Sequence, residues 1–170
     1  MKKILFLSFI LCLIGETALA AGTIKIGLMC PLTGSWESEG REMQQVVDVL
    51  ADELNGKGGL LGKKVEVITE NDGGDLRSAA LAAQRLATRG IVAVIGTYGS
   101  SITEASQNIY DESKIIQIAN GSTAIRLSEK GLRYFFRTCP RDDEQGMVAV
   151  KTIQKLGYKR IAILYDKAAY

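Results

Sequence analysis

With 170 residues and 46% hydrophobic content, the chain is long enough for one domain with a real core. Its 21 Lys and Arg stand against 19 Asp and Glu, a formal charge of only +2. Charges of both signs are mixed along its length, which leaves no electrostatic case for nucleic acid or an anionic membrane as partner. The absence of histidine removes Ser-His and Cys-His nucleophilic pairs together with the commonest metal ligand, so no enzymatic activity, metal or cofactor is expected.

Residues 1–20 read as an export signal. Lys2 and Lys3 form the positive n-region, residues 4–14 the apolar h-region, and Ala18-Leu19-Ala20 a small-x-small cleavage site, with cleavage expected after Ala20. Cys12 follows Leu11, not the small residue that a lipoprotein signal places before its cysteine. Removing the signal leaves 19 basic against 18 acidic residues and two cysteines, Cys30 and Cys139, which are expected to stay unpaired as small buried apolar groups.

The mature chain alternates strand and helix. Residues 23–30 begin with period-two alternation and end at Pro31, the pattern of a first strand. A loop over residues 31–40 leads to a helix whose Met43, Val46, Val47, Leu50, Ala51 and Leu54 recur at helical spacing, until Asn55-Gly-Lys-Gly-Gly59 stops it. Residues 64–70 form a second strand. Asp75 caps a second helix that is expected to bury Leu76, Ala79, Ala80, Ala83, Leu86 and Ala87. The apolar run at residues 91–95 reads as a strand covered on both faces, followed by the Gly96 and Gly99 turn, and by Ser100 or Ser101 as the cap of a third helix. Strands at residues 115–118 and 134–136 follow. After Pro140 a new unit begins, with a helix at residues 144–156 carrying Met147, Val148, Val150, Ile153 and Leu156, then a strand at residues 160–165. Helices of this length between strands predict right-handed βαβ crossovers and a parallel, Rossmann-like α/β sheet.

Two hydroxyl-bearing turns stand out. Tyr98-Gly99-Ser100-Ser101 and Asn120-Gly121-Ser122-Thr123 both follow strand carboxyl ends, where open α/β sheets bind their ligands. Together they either converge on one carboxylate, with helix N–H groups and the helix dipole behind it, or serve only to cap their own helices. Other chemistries fail on spacing. Gly58-Gly-Leu-Leu-Gly-Lys-Lys64 lacks the glycine pattern and hydroxyl of a phosphate loop, no Gly-x-Gly-x-x-Gly follows the first strand, and Asn71-Asp-Gly-Gly-Asp75 lacks the oxygen ladder of a calcium loop. Trp36, the single tryptophan, either covers an apolar ligand or plugs its loop against the domain.

Taken together, Ile26-Gly-Leu-Met-Cys-Pro-Leu-Thr-Gly34, Asn55-Gly-Lys-Gly-Gly-Leu-Leu-Gly62, Val94-Ile-Gly-Thr-Tyr-Gly-Ser-Ser101, Ile118-Ala-Asn-Gly-Ser-Thr123, Phe136-Arg-Thr138 and Ile161-Ala-Ile-Leu-Tyr-Asp166 with Tyr170 carry a resemblance. In order and spacing the chain resembles the N-terminal part of the periplasmic substrate-binding proteins of ABC transporters, of the leucine/isoleucine/valine-binding type. The resemblance implies the type I periplasmic binding fold: two lobes closing by a hinge on a small amino acid, which is then delivered to a membrane permease. It places the ligand carboxylate on Ser100 and Thr123, a backbone carbonyl for the ammonium at Gly121, and Trp36 and Tyr170 beside the ligand. Tyr98, Gly99 and Ser122 complete those turns.

It also implies a periplasmic protein, monomeric at full length and about twice as long as this chain. Residues 21–141 would then be most of lobe one, residues 142–170 the beginning of lobe two, and the chain a fragment. Two departures are visible. The half-positions of a disulfide found in some members correspond to Gly74 and Gly99, and an aromatic that some members place over the ligand side chain falls near Glu39. An extracellular sensing module or an amide- or urea-binding protein of the same fold is the alternative implied function, and an enzyme on a Rossmann-like sheet would need a catalytic base that the chain does not supply.

Overall fold

The computed structural model describes residues 22–165, so the expected export signal and Tyr170 lie outside the described residues. The elements run β1 (Thr23–Cys30), α1 (Glu37–Gly56), β2 (Lys64–Asn71), α2 (Leu76–Ala87), β3 (Ala93–Ile95), α3 (Ser100–Glu112) and β4 (Ile116–Ala119). A 3-10 turn (Ile125–Ser128), β5 (Phe135–Arg137) and α4 (Asp142–Leu156) complete the series. The five strands form one sheet in the order β2-β1-β3-β4-β5, and every ladder is parallel. The expected parallel α/β sheet is therefore the one that forms.

The strand order fixes where a ligand can sit. The chain moves to one side from β1 to β2 and to the other from β2 onward, so the order reverses between β1 and β3. Right-handed crossovers then place α1 alone on one face and α2 and α3 on the opposite face. Between the sheet and the α2–α3 layer lies the core: Met29, Val94, Ala79, Ala82, Ala83, Leu86, Ile102 and Tyr110, all buried. The alanines of α2 are what let it lie close against the sheet and α3. Asp75 caps α2 as expected, its Oδ1 accepting from the N–H groups of Arg77 at 3.0 Å and Ser78 at 2.9 Å.

The structure corrects several details. Leu76 is exposed, because it sits in the first turn beyond the edge of the packed layer, and Ala82 takes a buried place that was not expected. On α1, Val46, Leu50 and Leu54 are also exposed. Facing that helix is the register row Leu28–Ile95–Ile118–Phe136. α1 covers β1 and β2, and among the described residues nothing covers the β3–β5 end of this face, so Phe136 stays 54% exposed. The strands β4 and β5 each begin one residue later than expected, β3 is shorter than its apolar run, and α4 starts at Asp142. The strand expected at residues 160–165 does not form. A strand is held by hydrogen bonds to a neighbour, none of the described residues pairs with this segment, and Ile163 and Leu164 are exposed. Cys30 and Cys139 are free thiols, as expected. Burial pushes the Cys30 thiol up to about 12.

Candidate functional site

At the carboxyl end of β3 the backbone passes so close to β1 that Gly96, at φ +120°, would carry a Cβ only 2.0 Å from the Met29 carbonyl oxygen. Only glycine fits there, and the chain turns at once through Thr97 and Tyr98 to α3. The helix cap is Gly99, in extended conformation and with no side-chain capping bond. Neither Ser100 nor Ser101 is the cap, because Ser100 is already inside the first turn and its hydroxyl serves another purpose. Its Oγ, fully buried, accepts a hydrogen bond from the Ala124 N–H at 3.2 Å. The two turns singled out by the sequence are thus joined directly.

A second connection runs beneath them. Thr97 Oγ1 lies 2.8 Å from Thr103 Oγ1, which lies 2.6 Å from Ser122 Oγ, and Ser122 reaches the carbonyl oxygens of Thr97 at 3.1 Å and Tyr98 at 3.2 Å. Each hydroxyl has one hydrogen to give. Thr97 Oγ1 also reaches the Gly99 carbonyl oxygen at 3.1 Å, so three hydroxyl hydrogens are shared among more contacts than they can serve one to one. Ser122 is fully buried, and its side chain holds the turn together. Thr123 is half-buried, and its hydroxyl makes no hydrogen bond among the described residues. The first N–H groups of α3, from Ser100 onward, have no partners within the helix and carry the positive end of its dipole. The bond between Ser100 and Ala124 thus sets the first turn of α3 beside the turn that carries Thr123.

Trp36 packs beside these turns. Its ring meets Tyr98 edge-on, centroids 5.7 Å apart at 65°. A Cβ at Gly99 would fall 2.6 Å from the indole and one at Gly74 would fall 3.4 Å from it. The two glycines that correspond to a disulfide in some relatives of the implied family therefore bracket the tryptophan ring, which occupies the space beside both. Packed against the core cluster, Trp36 plugs its loop onto the domain. The adjoining loop is tied by Asn71, whose Oδ1 accepts from the Leu32 and Gly73 N–H groups at 2.8 Å each, and whose Nδ2 donates to Thr33 Oγ1 at 2.9 Å.

Two polar groups were not singled out from the sequence. Asp72 is buried. Its Oδ1 accepts from Gly74 N–H at 2.9 Å, its Oδ2 has no partner among the described residues, and burial pushes its carboxyl up to about 6. Arg137, present in the sequence analysis only within Phe136-Arg-Thr138, reaches back to the second turn. A groove of about 630 Å³ runs between α1 and the sheet, bordered by Glu39, Met43, Leu50, Ile95, Tyr98 and Gly121. Ser100 and Thr123 do not line it, but Tyr98, Asn120 and Gly121 of the two turns do, so this apolar groove adjoins them. Among the described residues no cluster of three or more His, Cys, Asp or Glu could hold a metal, and no helix is long and apolar enough to cross a membrane.

The sequence profile of the family described as periplasmic binding protein matches residues 23–170. Among curated proteins, the Leu/Ile/Val-binding protein homolog 2 of Brucella abortus is 34% identical, the match covering 100% of this chain and 46% of the relative. An amino acid binding protein of Pseudomonas aeruginosa is 35% identical, with 100% of this chain and 47% of that one covered. Two solved structures superpose on the fold. One is the branched-chain amino acid transporter substrate-binding protein LivJ of Streptococcus pneumoniae in complex with isoleucine, at TM-score 0.67 and 30% identity over 71% of this chain and 34% of that one. The other, an ABC transporter substrate-binding protein of Desulfitobacterium hafniense in complex with Leu, gives TM-score 0.74 and 28% identity over 87% and 43%. The chain spans less than half the length of these relatives.

Proposed function

The chain belongs to the periplasmic binding protein family, and on that premise we propose that it carries the carboxylate-holding half of a site for a small amino acid: leucine, isoleucine or valine. The observation that supports this reading is the bond from Ala124 N–H to Ser100 Oγ, which brings the N-terminus of α3 and the Thr123 turn to one place. A carboxylate there meets helix N–H groups, the helix dipole and the Thr123 hydroxyl. Charge-assisted bonds of this kind are about twice as strong as neutral ones.

In a chain of the relatives' length, a second lobe would swing over the ligand and cover its side chain and ammonium group, with the carbonyl of Gly121 as one ammonium partner. Tyr170 would stand on that side. The protein would work in the periplasm, as a monomer exported by residues 1–20, and hand its ligand in the closed form to the permease of an ABC importer.

Thermal unfolding with and without L-leucine tests the assignment, since a ligand that binds only the folded state raises the melting temperature by mass action. A rise with leucine, isoleucine and valine that disappears in the Ser100→Ala/Thr123→Ala double variant is the expected result. An equal rise in the double variant removes both residues from the site.

A further inference from the structure

We propose that Arg137 is the residue that sets the Thr123 turn in its carboxylate-receiving shape, an assignment that rests on the reading of the site given above. Its guanidinium straddles Thr123: Nη1 donates to the Ser122 carbonyl at 3.2 Å and Nη2 to the Ala124 carbonyl at 2.9 Å, with Nη2 also on Ser128 Oγ. The carbonyl between them is held from the same stretch of chain, since Thr123 O accepts from Asp142 N–H at 3.0 Å. Cys139 Sγ adds a contact to Ser122 O at 3.2 Å. Three successive carbonyls of the turn are thus drawn toward residues 137–142. Thr123 itself is only half-buried, so of the residues held in this way it is the one open to solvent.

Arginine suits this task because its planar fork is pre-organised to hold two acceptors at once, which a lysine ammonium on a flexible stem cannot reproduce. Its Cζ also lies 5.8 Å from the centroid of the Phe135 ring. Arg137 makes no ion pair among the described residues, and it is half-buried, where screening is weaker than in water. A cation held behind the turn by neutral carbonyls favours an anion in front of it. Arg137 touches no ligand in this arrangement; it is a positioning residue.

The test compares the 15N-labelled chain with its Arg137→Lys and Arg137→Gln variants by amide hydrogen exchange, thermal unfolding and titration with L-leucine. Exchange at the Ala124 and Asp142 amides, which donate to Ser100 Oγ and Thr123 O, is expected to accelerate about tenfold or more in both variants, with α1 and α2 amides unchanged. The leucine concentration for half-maximal shift of the Ser101 amide is expected to rise by a similar factor. Ser101 lies on the other turn, so a loss of leucine response there, at a temperature where both variants are fully folded, is not what a merely structural staple produces. Wild-type exchange and wild-type leucine response in both variants overturn the proposal, as does full recovery of both by lysine. If the unsubstituted chain gives no leucine response at all, the amino acid reading falls. Exchange then decides the role of Arg137 alone, unchanged rates in Arg137→Gln overturning it.

Discussion

The Ala124 N–H points at the hydroxyl of Ser100 across 3.2 Å, and this single bond closes the gap between two turns that lie 24 residues apart in the chain. Both groups are buried. Ser100→Ala leaves a buried N–H without an acceptor, which costs about 1–3 kcal/mol. Urea unfolding is expected to show that loss, and hydrogen exchange to show faster exchange at Ala124, while Ser101→Ala, at a half-buried position with no side-chain bond, stays within about 0.5 kcal/mol of the parent.

Gly99 has an ordinary extended backbone, φ −86° and ψ 141°, so an alanine there is free of backbone strain and its cost is entirely steric. The added methyl meets the Trp36 ring at 2.6 Å. Gly99→Ala is expected to push the indole out of its slot at a cost of about 1–3 kcal/mol. Because Trp36 is the single tryptophan, its emission is expected to shift to the red as the ring gains water.

Asp72 makes stability depend on pH in a definite direction. Its carboxyl ordinarily titrates at 3.8 and is pushed up to about 6 in the fold, by burial first. The folded state therefore holds this proton more tightly than the unfolded one. The stabilisation is complete below about pH 4 and is lost as pH rises through about 6, at most about 3 kcal/mol for this group. Urea midpoints measured from pH 4 to 7.5 are expected to fall with rising pH, and Asp72→Asn, which keeps an oxygen for the Gly74 N–H, is expected to flatten that slope.

The uncovered side of α1 gives a fourth expectation. Val46 and Leu50 are more than half exposed, so replacing both by glutamate changes stability by no more than about 0.5 kcal/mol each. Binding of an apolar dye such as ANS is expected to drop in the same variant, because these side chains form one wall of the 630 Å³ groove.

The order of elements was legible because it rests on local signals. Alternation marks residues 23–30, helical spacing marks α1, and Asp75 stands where a cap is needed before the alanines of α2. What depends on neighbours was not legible. Residues 160–165 have strand composition, but composition cannot supply the adjoining strand. Ser100 has the chemistry of a cap, but the cap is Gly99 because the serine hydroxyl is drawn to Ala124. The two turns were found from their hydroxyls and their place after strands. The Thr97–Thr103–Ser122 chain and the Arg137 fork beneath them were not, since both depend on the β3–β4–β5 register, which brings residues up to 25 positions apart together. Trp36 left two roles open, and the sequence could not show the ring lying beside Gly74 and Gly99 and against the core, because those contacts join residues far apart in the chain.

The most direct measurement is a titration of the 15N-labelled chain with L-leucine and, separately, with L-leucinamide, which keeps the side chain and ammonium but lacks the carboxylate. Amide shifts at Gly99, Ser101, Thr123 and Ala124 with leucine, and none there with leucinamide, are the predicted result. Equal shifts with both compounds, or leucine shifts confined to residues away from these two turns, would contradict it.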